Sequence, residues 1–147
     1  MASTAQSLKD LMVRAFNVWH RALVTASGGR LGSTGFGMPV VILRTTGRKS
    51  GKQRTTMLTT PVHDDNRVVL VASYGGDDRH PAWFLNLRDN PDVEITLRGT
   101  SRPMRAHVAS TDEKAELWPE VVAAYKGYAQ YQTRTERDIP LVILEPA

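Results

Sequence analysis

Leu8, Leu11, Met12, Ala15, Phe16, Trp19, Ala22 and Leu23 recur at the i, i+3, i+4, i+7 spacing of one helical face. The spacing predicts an amphipathic helix over about residues 8–26, with Ser7 as its N-cap and Gly28-Gly29 as its stop. Residues 28–37 are rich in glycine and serine and lose all periodicity, which reads as a linker. The pattern then changes. Val40-Val41-Ile42-Leu43 is an unbroken apolar run in a predicted strand over 40–46, and Thr55 to Val62 has strand composition. Arg67 to Ser73 is a second buried-looking run. The turn formers Asp64-Asp65-Asn66 before it predict an antiparallel hairpin.

Ala82 to Leu87 reads as a short helix stopped by Asn90-Pro91. Val93 to Leu97 alternates at period two, Gly99 turns, and Pro103 to Ala109 runs back as a second hairpin. Ser110 with Glu113 forms a capping box for a helix through Leu117, Val121, Val122 and Tyr125, which Pro119 is expected to kink or restart. Ile139 to Leu144 closes the chain as a strand. A helix, then mostly antiparallel strands with two helical insertions, predicts an α+β small barrel over residues 38–147, behind a helix and linker over 1–37.

Composition narrows the chemistry. With 147 residues, 41% hydrophobic and 23% charged, the chain can bury a real core as a globular domain. It has no cysteine, so disulfides, thiolate–metal sites and a cysteine nucleophile are excluded. The four histidines are scattered and the aspartate pairs lack an EF-hand frame, so no metal site is expected. No Gly-x-Ser-x-Gly elbow is present. No apolar run reaches the ~20 residues of a membrane span and no signal peptide is visible, so a cytoplasmic location is expected. The net charge of +4 is unevenly spread: residues 1–60 hold nine Lys/Arg against one Asp, the remainder ten against fourteen acidic residues. That asymmetry favours an anionic partner, whether nucleic acid, an anionic membrane surface or a polyanionic small molecule. The polar side of helix 8–26 carries Lys9, Arg14, His20 and Arg21. It could lie on an anionic bilayer at the inner membrane face, or its apolar side could simply pack on the domain.

Three constellations stand out. Arg44 to Arg54 holds five cations and no acid, with Gly47 and Gly51 bracketing Arg48-Lys49-Ser50: a cationic turn suited to an anion. It is not a P-loop, because the glycine spacing is one residue short and Gln53 replaces the metal-binding hydroxyl. Ala72-Ser73-Tyr74-Gly75-Gly76 runs a strand into a double glycine, where a flat ring can approach the backbone; Trp83 follows, as a stacking or core residue. Tyr125, Tyr128 and Tyr131 stand at i, i+3 and i+6, and on one helix they would form an aromatic wall with hydroxyl donors.

Thr45-Thr46-Gly47-Arg48-Lys49-Ser50-Gly51-Lys52-Gln53-Arg54, Ala72-Ser73-x-Gly75-Gly76, Pro81-x-Trp83-x-Leu85-Asn86-Leu87-x-x-Asn90-Pro91 and Ile139-Pro140 occur in an order that resembles the deazaflavin-dependent nitroreductase family. The resemblance spans about residues 38–146. It implies a split β-barrel related to flavin-mononucleotide-binding oxidoreductases, with short helices over the cofactor site. It also implies hydride transfer from reduced coenzyme F-420 to a quinone, nitroaromatic or activated double bond such as an enone. By that resemblance Arg48, Lys49, Lys52 and Arg54 would grip the coenzyme's acidic tail, and Ala72, Ser73, Tyr74, Gly75 and Gly76 would meet its ring, with Trp83 supporting the loop. Thr59, Tyr125, Tyr128 and Tyr131 would line the acceptor pocket, and Tyr128 with Ser73 would stabilise or protonate the acceptor oxygen. Tyr74 stands where well-known members have lysine, and Thr59 where the nitroreductase-like pocket has tyrosine. The alternatives are a non-catalytic carrier of the deazaflavin or of flavin mononucleotide, and a basic nucleic-acid-binding barrel. The tyrosines sit in the acidic half rather than among the cations, so nucleic acid is not the expected partner.

Overall fold

A computed structural model describes residues 34–35 and 37–147. Helix 8–26 and most of the linker lie outside the described residues, as does any contact of that helix with a membrane. Among the described residues there are eight strands: β1 Thr34–Gly35, β2 Met38–Thr46, β3 Gln53–Thr59, β4 Val62–His63, β5 Val68–Val71, β6 Asp92–Leu97, β7 Thr100–Val108 and β8 Leu141–Pro146. Three α-helices join them: α1 Ala82–Asp89, α2 Thr111–Ala124 and α3 Gly127–Thr133. Every pairing is antiparallel, in the order β1-β2-β6-β7-β8-β5-β4, with β3 also on β2.

The sheet closes through the chain itself. β3 passes into β4 across Thr60-Pro61, so the strand that begins beside β2 ends beside β5. Buried Thr60 makes the corner: its N–H donates to Pro39 O, and its hydroxyl reaches Val62 O at 2.9 Å and Val69 O at 2.8 Å. The barrel is closed by this covalent passage and not by a ladder, since among the described residues β3 pairs only with β2 and β4 only with β5.

Alternation explains why β5 and β8 read as continuous apolar runs. Val68, Leu70, Val142 and Leu144 point into the barrel with Val41, Leu43, Val93, Ile95, Met104 and Ala106. Val69, Val71, Leu141 and Ile143 point outward and are covered by Leu117 and Val121 of α2 and Tyr128 of α3. Both faces are therefore buried, and each fully covered aliphatic side chain contributes ~1.5–3 kcal/mol. Trp83, Phe84 and Leu87 of α1 join the interior cluster.

The strand order, the short helix after Pro81, the 92–108 hairpin and the capping box agree with the expected elements. Ser110 accepts from Glu113 N–H at 3.1 Å and Glu113 accepts from Ser110 N–H at 2.9 Å. The first hairpin is shorter than expected, because the Thr60 corner divides the predicted strand 55–62 in two. Two expectations are corrected. α2 runs unbroken through Pro119, whose exposed position tolerates the missing N–H. The helix then ends before the tyrosines, because Tyr125 is extended (φ −155°, ψ 109°) and α3 starts afresh at Gly127. Among the described residues no helix is long and apolar enough to cross a membrane.

Candidate functional site

The cationic turn is a tight loop at the end of the β2–β3 hairpin. Gly47 N–H donates to Lys52 O at 2.7 Å, and Gly51 N–H donates back to Gly47 O at 2.8 Å. Gly51 needs its positive φ of 70°. Gly47 needs its missing Cβ, which would lie 2.7 Å from Ser50 Oγ. Arg48, Lys49, Lys52 and Arg54 are exposed, and none of them pairs with a carboxylate among the described residues. The fifth cation differs: Arg44 is spent on Glu94 of the neighbouring β6 at 3.4 Å.

A residue without an assigned role in the sequence holds this turn in place. Buried Asn86 of α1 accepts from Arg48 N–H through Oδ1 at 3.1 Å and donates from Nδ2 to Thr45 Oγ1 at 3.3 Å. α1 thus anchors both the barrel interior and the loop that carries the charge. Its Trp83 is 7% exposed, packs in the same cluster as Ala72 and meets Phe84 edge-on at 6.4 Å. Trp83 is core and supports the strand beneath the glycine loop.

At the double glycine the backbone turns through three consecutive left-handed residues, Tyr74 (φ 46°), Gly75 (φ 65°) and Gly76 (φ 82°). Such a run costs least with glycine. Gly76 is packed against α3: a Cβ there would lie 2.8 Å from Tyr131 O and 2.9 Å from Arg134 Cβ. Ala72 and Ser73, which lead into the loop, are buried. Arg79 lies over the Tyr74 ring at 5.6 Å and binds Asp77 at 3.2 Å, which places a cation beside Tyr74.

The three tyrosines do form one cluster, although not by sharing a helix. The extended Tyr125 folds its ring back over Gly127, whose Cβ would overlap it at 2.5 Å. Ring centroids are 5.2 Å apart for Tyr125–Tyr128 and 6.2 Å for Tyr125–Tyr131 and Tyr128–Tyr131, all edge-to-face. Tyr128 is 6% exposed; its hydroxyl lies 3.2 Å from Thr59 Oγ1 and donates to Met38 Sδ at 3.8 Å. Burial pushes its phenol above the usual range, with the Thr59 hydrogen bond opposing in part. The hydrogen bond with Tyr125 and then burial push Tyr131 up to about 12. These phenols keep their protons at neutral pH and act as donors.

The structure brings Thr59, Gly75, Gly76, Tyr125, Tyr128 and Tyr131 together around α3. Arg48, Lys49, Lys52 and Arg54 gather at the other end of β3, roughly 17 Å away for the five steps from Arg54 to Thr59. No motif or spacing points to the segment after α3. Arg137 donates to Ala72 O at 3.2 Å, Ser73 O at 2.9 Å and Asp77 O at 2.9 Å, and reaches His80 Nδ1 at 3.3 Å. Thr135 donates to Asp78 and Arg134 to Gly75 O. Ile139-Pro140 is the one motif near this region, and it leads directly into β8, which starts at Leu141 and not at the expected Ile139.

The antiparallel barrel with helices over one outer face makes this a split-barrel α+β protein, with a cationic hairpin and a left-handed glycine loop against α3. Residues 17–146 match the F420H(2)-dependent quinone reductase family, and the chain belongs to that family. Two Mycobacterium tuberculosis proteins are similar. Rv3178 is 45% identical over 119 residues, covering 80% of this chain and 98% of its own. The F420H(2)-dependent quinone reductase Rv1261c is 39% identical over 132 residues, covering 85% and 86%. The solved structure of an F420-H2 dependent reductase (FDR-A) superposes with a TM-score of 0.66 at 40% identity, covering 73% of this chain and 94% of that one.

Proposed function

We propose that the protein transfers a hydride from reduced coenzyme F-420 to a quinone, with nitroaromatics and enones as further acceptors. The observation that carries this reading is the close packing of the Gly76 loop on the Tyr131 carbonyl and Arg134 at the end of the tyrosine-bearing α3, with a carboxylate-free cationic hairpin at the far end of β3. The residues fit the coenzyme: Arg48, Lys49, Lys52 and Arg54 suit an acidic tail, and left-handed, half-buried Gly75 admits a ring close to the backbone, while Gly76 lets the loop pack on α3. A four-cation grip also suits that polyanion better than the single phosphate of flavin mononucleotide.

When bound, the coenzyme supplies the hydride, and the protein supplies orientation and electrostatics. Ala72, Ser73, Tyr74, Gly75 and Gly76 hold the ring, with Trp83 beneath the strand. Thr59, Tyr125, Tyr128 and Tyr131 line the acceptor side and keep water away from it. Tyr128 and Ser73 stabilise the oxygen on which charge develops. Because burial raises its phenol, Tyr128 donates a hydrogen bond there and keeps its proton through much of the step. Helix 8–26 would bring this site to the membrane surface where quinones dissolve; flotation with anionic vesicles, compared with a chain lacking that segment, tests it.

The experiment for the site is a fluorescence titration with oxidised coenzyme, followed by turnover of reduced coenzyme with menadione. Micromolar binding and consumption of reduced coenzyme are expected. Absence of binding overturns the reading, and binding without turnover marks a carrier. Arg54→Glu is expected to weaken coenzyme binding by about 10-fold, more at low salt, with kcat at saturation retained.

A further inference from the structure

Three backbone carbonyls of the glycine loop converge on one side chain that no motif marks. The Arg137 guanidinium donates to Ala72 O, Ser73 O and Asp77 O between 2.9 and 3.2 Å, and its fourth partner is His80 Nδ1. These residues lie 57 to 65 positions earlier in the chain. Charge-assisted bonds to carbonyl oxygens are stronger than neutral ones, and a planar guanidinium can hold several at fixed angles. Lysine cannot reproduce that fork.

Arg137 is itself held. Its N–H donates to Thr135 Oγ1 at 3.3 Å, and its carbonyl accepts from Gln132 Nε2 at 2.8 Å. Gln132 Oε1 then accepts from Ile139 N–H at 3.0 Å, so one amide bridges the ends of the turn between α3 and β8. Burial and the two neighbouring guanidinium groups, Arg137 and Arg88, keep His80 below its usual value. It is therefore neutral at pH 7 and accepts from Arg137 through Nδ1.

The consequence concerns polarity. A loop of left-handed residues exposes carbonyls as readily as N–H groups, and carbonyl oxygens repel the oxygens of a bound ring. Three carbonyls drawn toward Arg137 are removed from that surface, while Gly75 N–H makes no bond to a described residue. We propose that Arg137 is the positioning residue of the ring site: it fixes the Ala72–Asp77 backbone so that the loop presents donors, and not carbonyls, to the coenzyme. This rests on the function proposed above for the loop, but its first test does not.

Amide hydrogen exchange of the free protein is compared for wild type, Arg137→Gln and Arg137→Lys. Exchange at Gly76 and Asp77, whose N–H groups donate to Ser73 O and Tyr74 O, is expected to rise at least 10-fold in both variants, while β6 and β7 stay protected. Unchanged exchange there overturns the positioning role, whether or not coenzyme binds. Coenzyme titration follows: Kd is expected to rise about 10-fold in Arg137→Gln, with partial recovery on adding methylguanidinium, and kcat at saturation within 3-fold. Loosened exchange with an unchanged Kd overturns the link to the ring site. A wild type that fails to bind coenzyme removes the function reading and leaves the exchange result standing. Global unfolding of both variants, seen as lost protection in β6 and β7, shows a structural residue only and overturns the proposal.

Discussion

Tyr128 carries the sharpest residue-scale question, because it is both a core side chain and the proposed donor. Its ring packs with Val69, Val71 and Ile143, while its hydroxyl meets Thr59 at 3.2 Å. Tyr128→Phe keeps the packing and deletes the donor. Stability is expected to fall by about 1 kcal/mol, the value of one such bond. Turnover is expected to fall about 100-fold, the lower end for loss of one donor to a developing oxyanion, with coenzyme affinity held within about 2-fold. Equal losses in affinity and turnover would place Tyr128 in the coenzyme site instead. The raised phenol adds a pH expectation: its ionisation lies above the usual value near 10, so kcat is flat from about pH 7 to 9. A kinetic ionisation in that interval would show that another group transfers the proton.

At the scale of elements, the Thr60 corner decides whether the barrel closes. Thr60→Val keeps the shape and removes the hydroxyl that serves Val62 O and Val69 O. Leaving those buried acceptors short costs about 1–3 kcal/mol, or about 2–4 °C of Tm per kcal/mol for a chain of this size. Thr60→Ser is expected to recover most of it; equal loss in both variants would show that the γ-methyl matters and the hydroxyl does not. Local features of this kind were legible where short-range chemistry writes them: the 92–108 hairpin, the capping box at Ser110, the glycine-bracketed turn. The helix boundary at Tyr125 was not. A period of three or four from Tyr125 to Tyr131 fits one helix, and only Gly127 signals otherwise, since its missing side chain is what admits the Tyr125 ring. The pattern found the cluster and assigned it the wrong backbone. Pro119 misled in the opposite sense, because one exposed missing bond did not stop a helix anchored by Leu117 and Val121.

Across the whole molecule, legibility ends where contacts are long in sequence. Asn86 reaches Thr45 and Arg48, and Arg137 reaches Ala72 to His80; neither pairing leaves a period or a spacing to read. The second network also gives the fold a titratable element. Neutral His80 accepts from Arg137, packs on Phe84 at 4.7 Å and faces Arg88 of α1; the carboxylates of Asp77 and Asp78 lie on the Arg137 side. Burial, and then the neighbouring Arg137 and Arg88 cations, oppose protonation, so the folded value lies below 6.5. In the unfolded chain the histidine returns to about 6.5. Between these values the unfolded state binds more protons, so stability rises with pH across the window. The contribution is fully present above about pH 6.5 and is lost as pH falls toward the lowered folded value. Glu113, also lowered, titrates beneath this window, its own contribution being lost only below about 4.5. Denaturation midpoints of wild type and His80→Gln between about pH 5 and 7.5 isolate the effect, because the other three histidines are common to both proteins. Wild type is expected to lose stability steadily on acidification and His80→Gln to lose less. Parallel curves would mean that His80 binds its proton equally well in the folded and unfolded chains, and that Arg137 holds the glycine turn through its carbonyls alone.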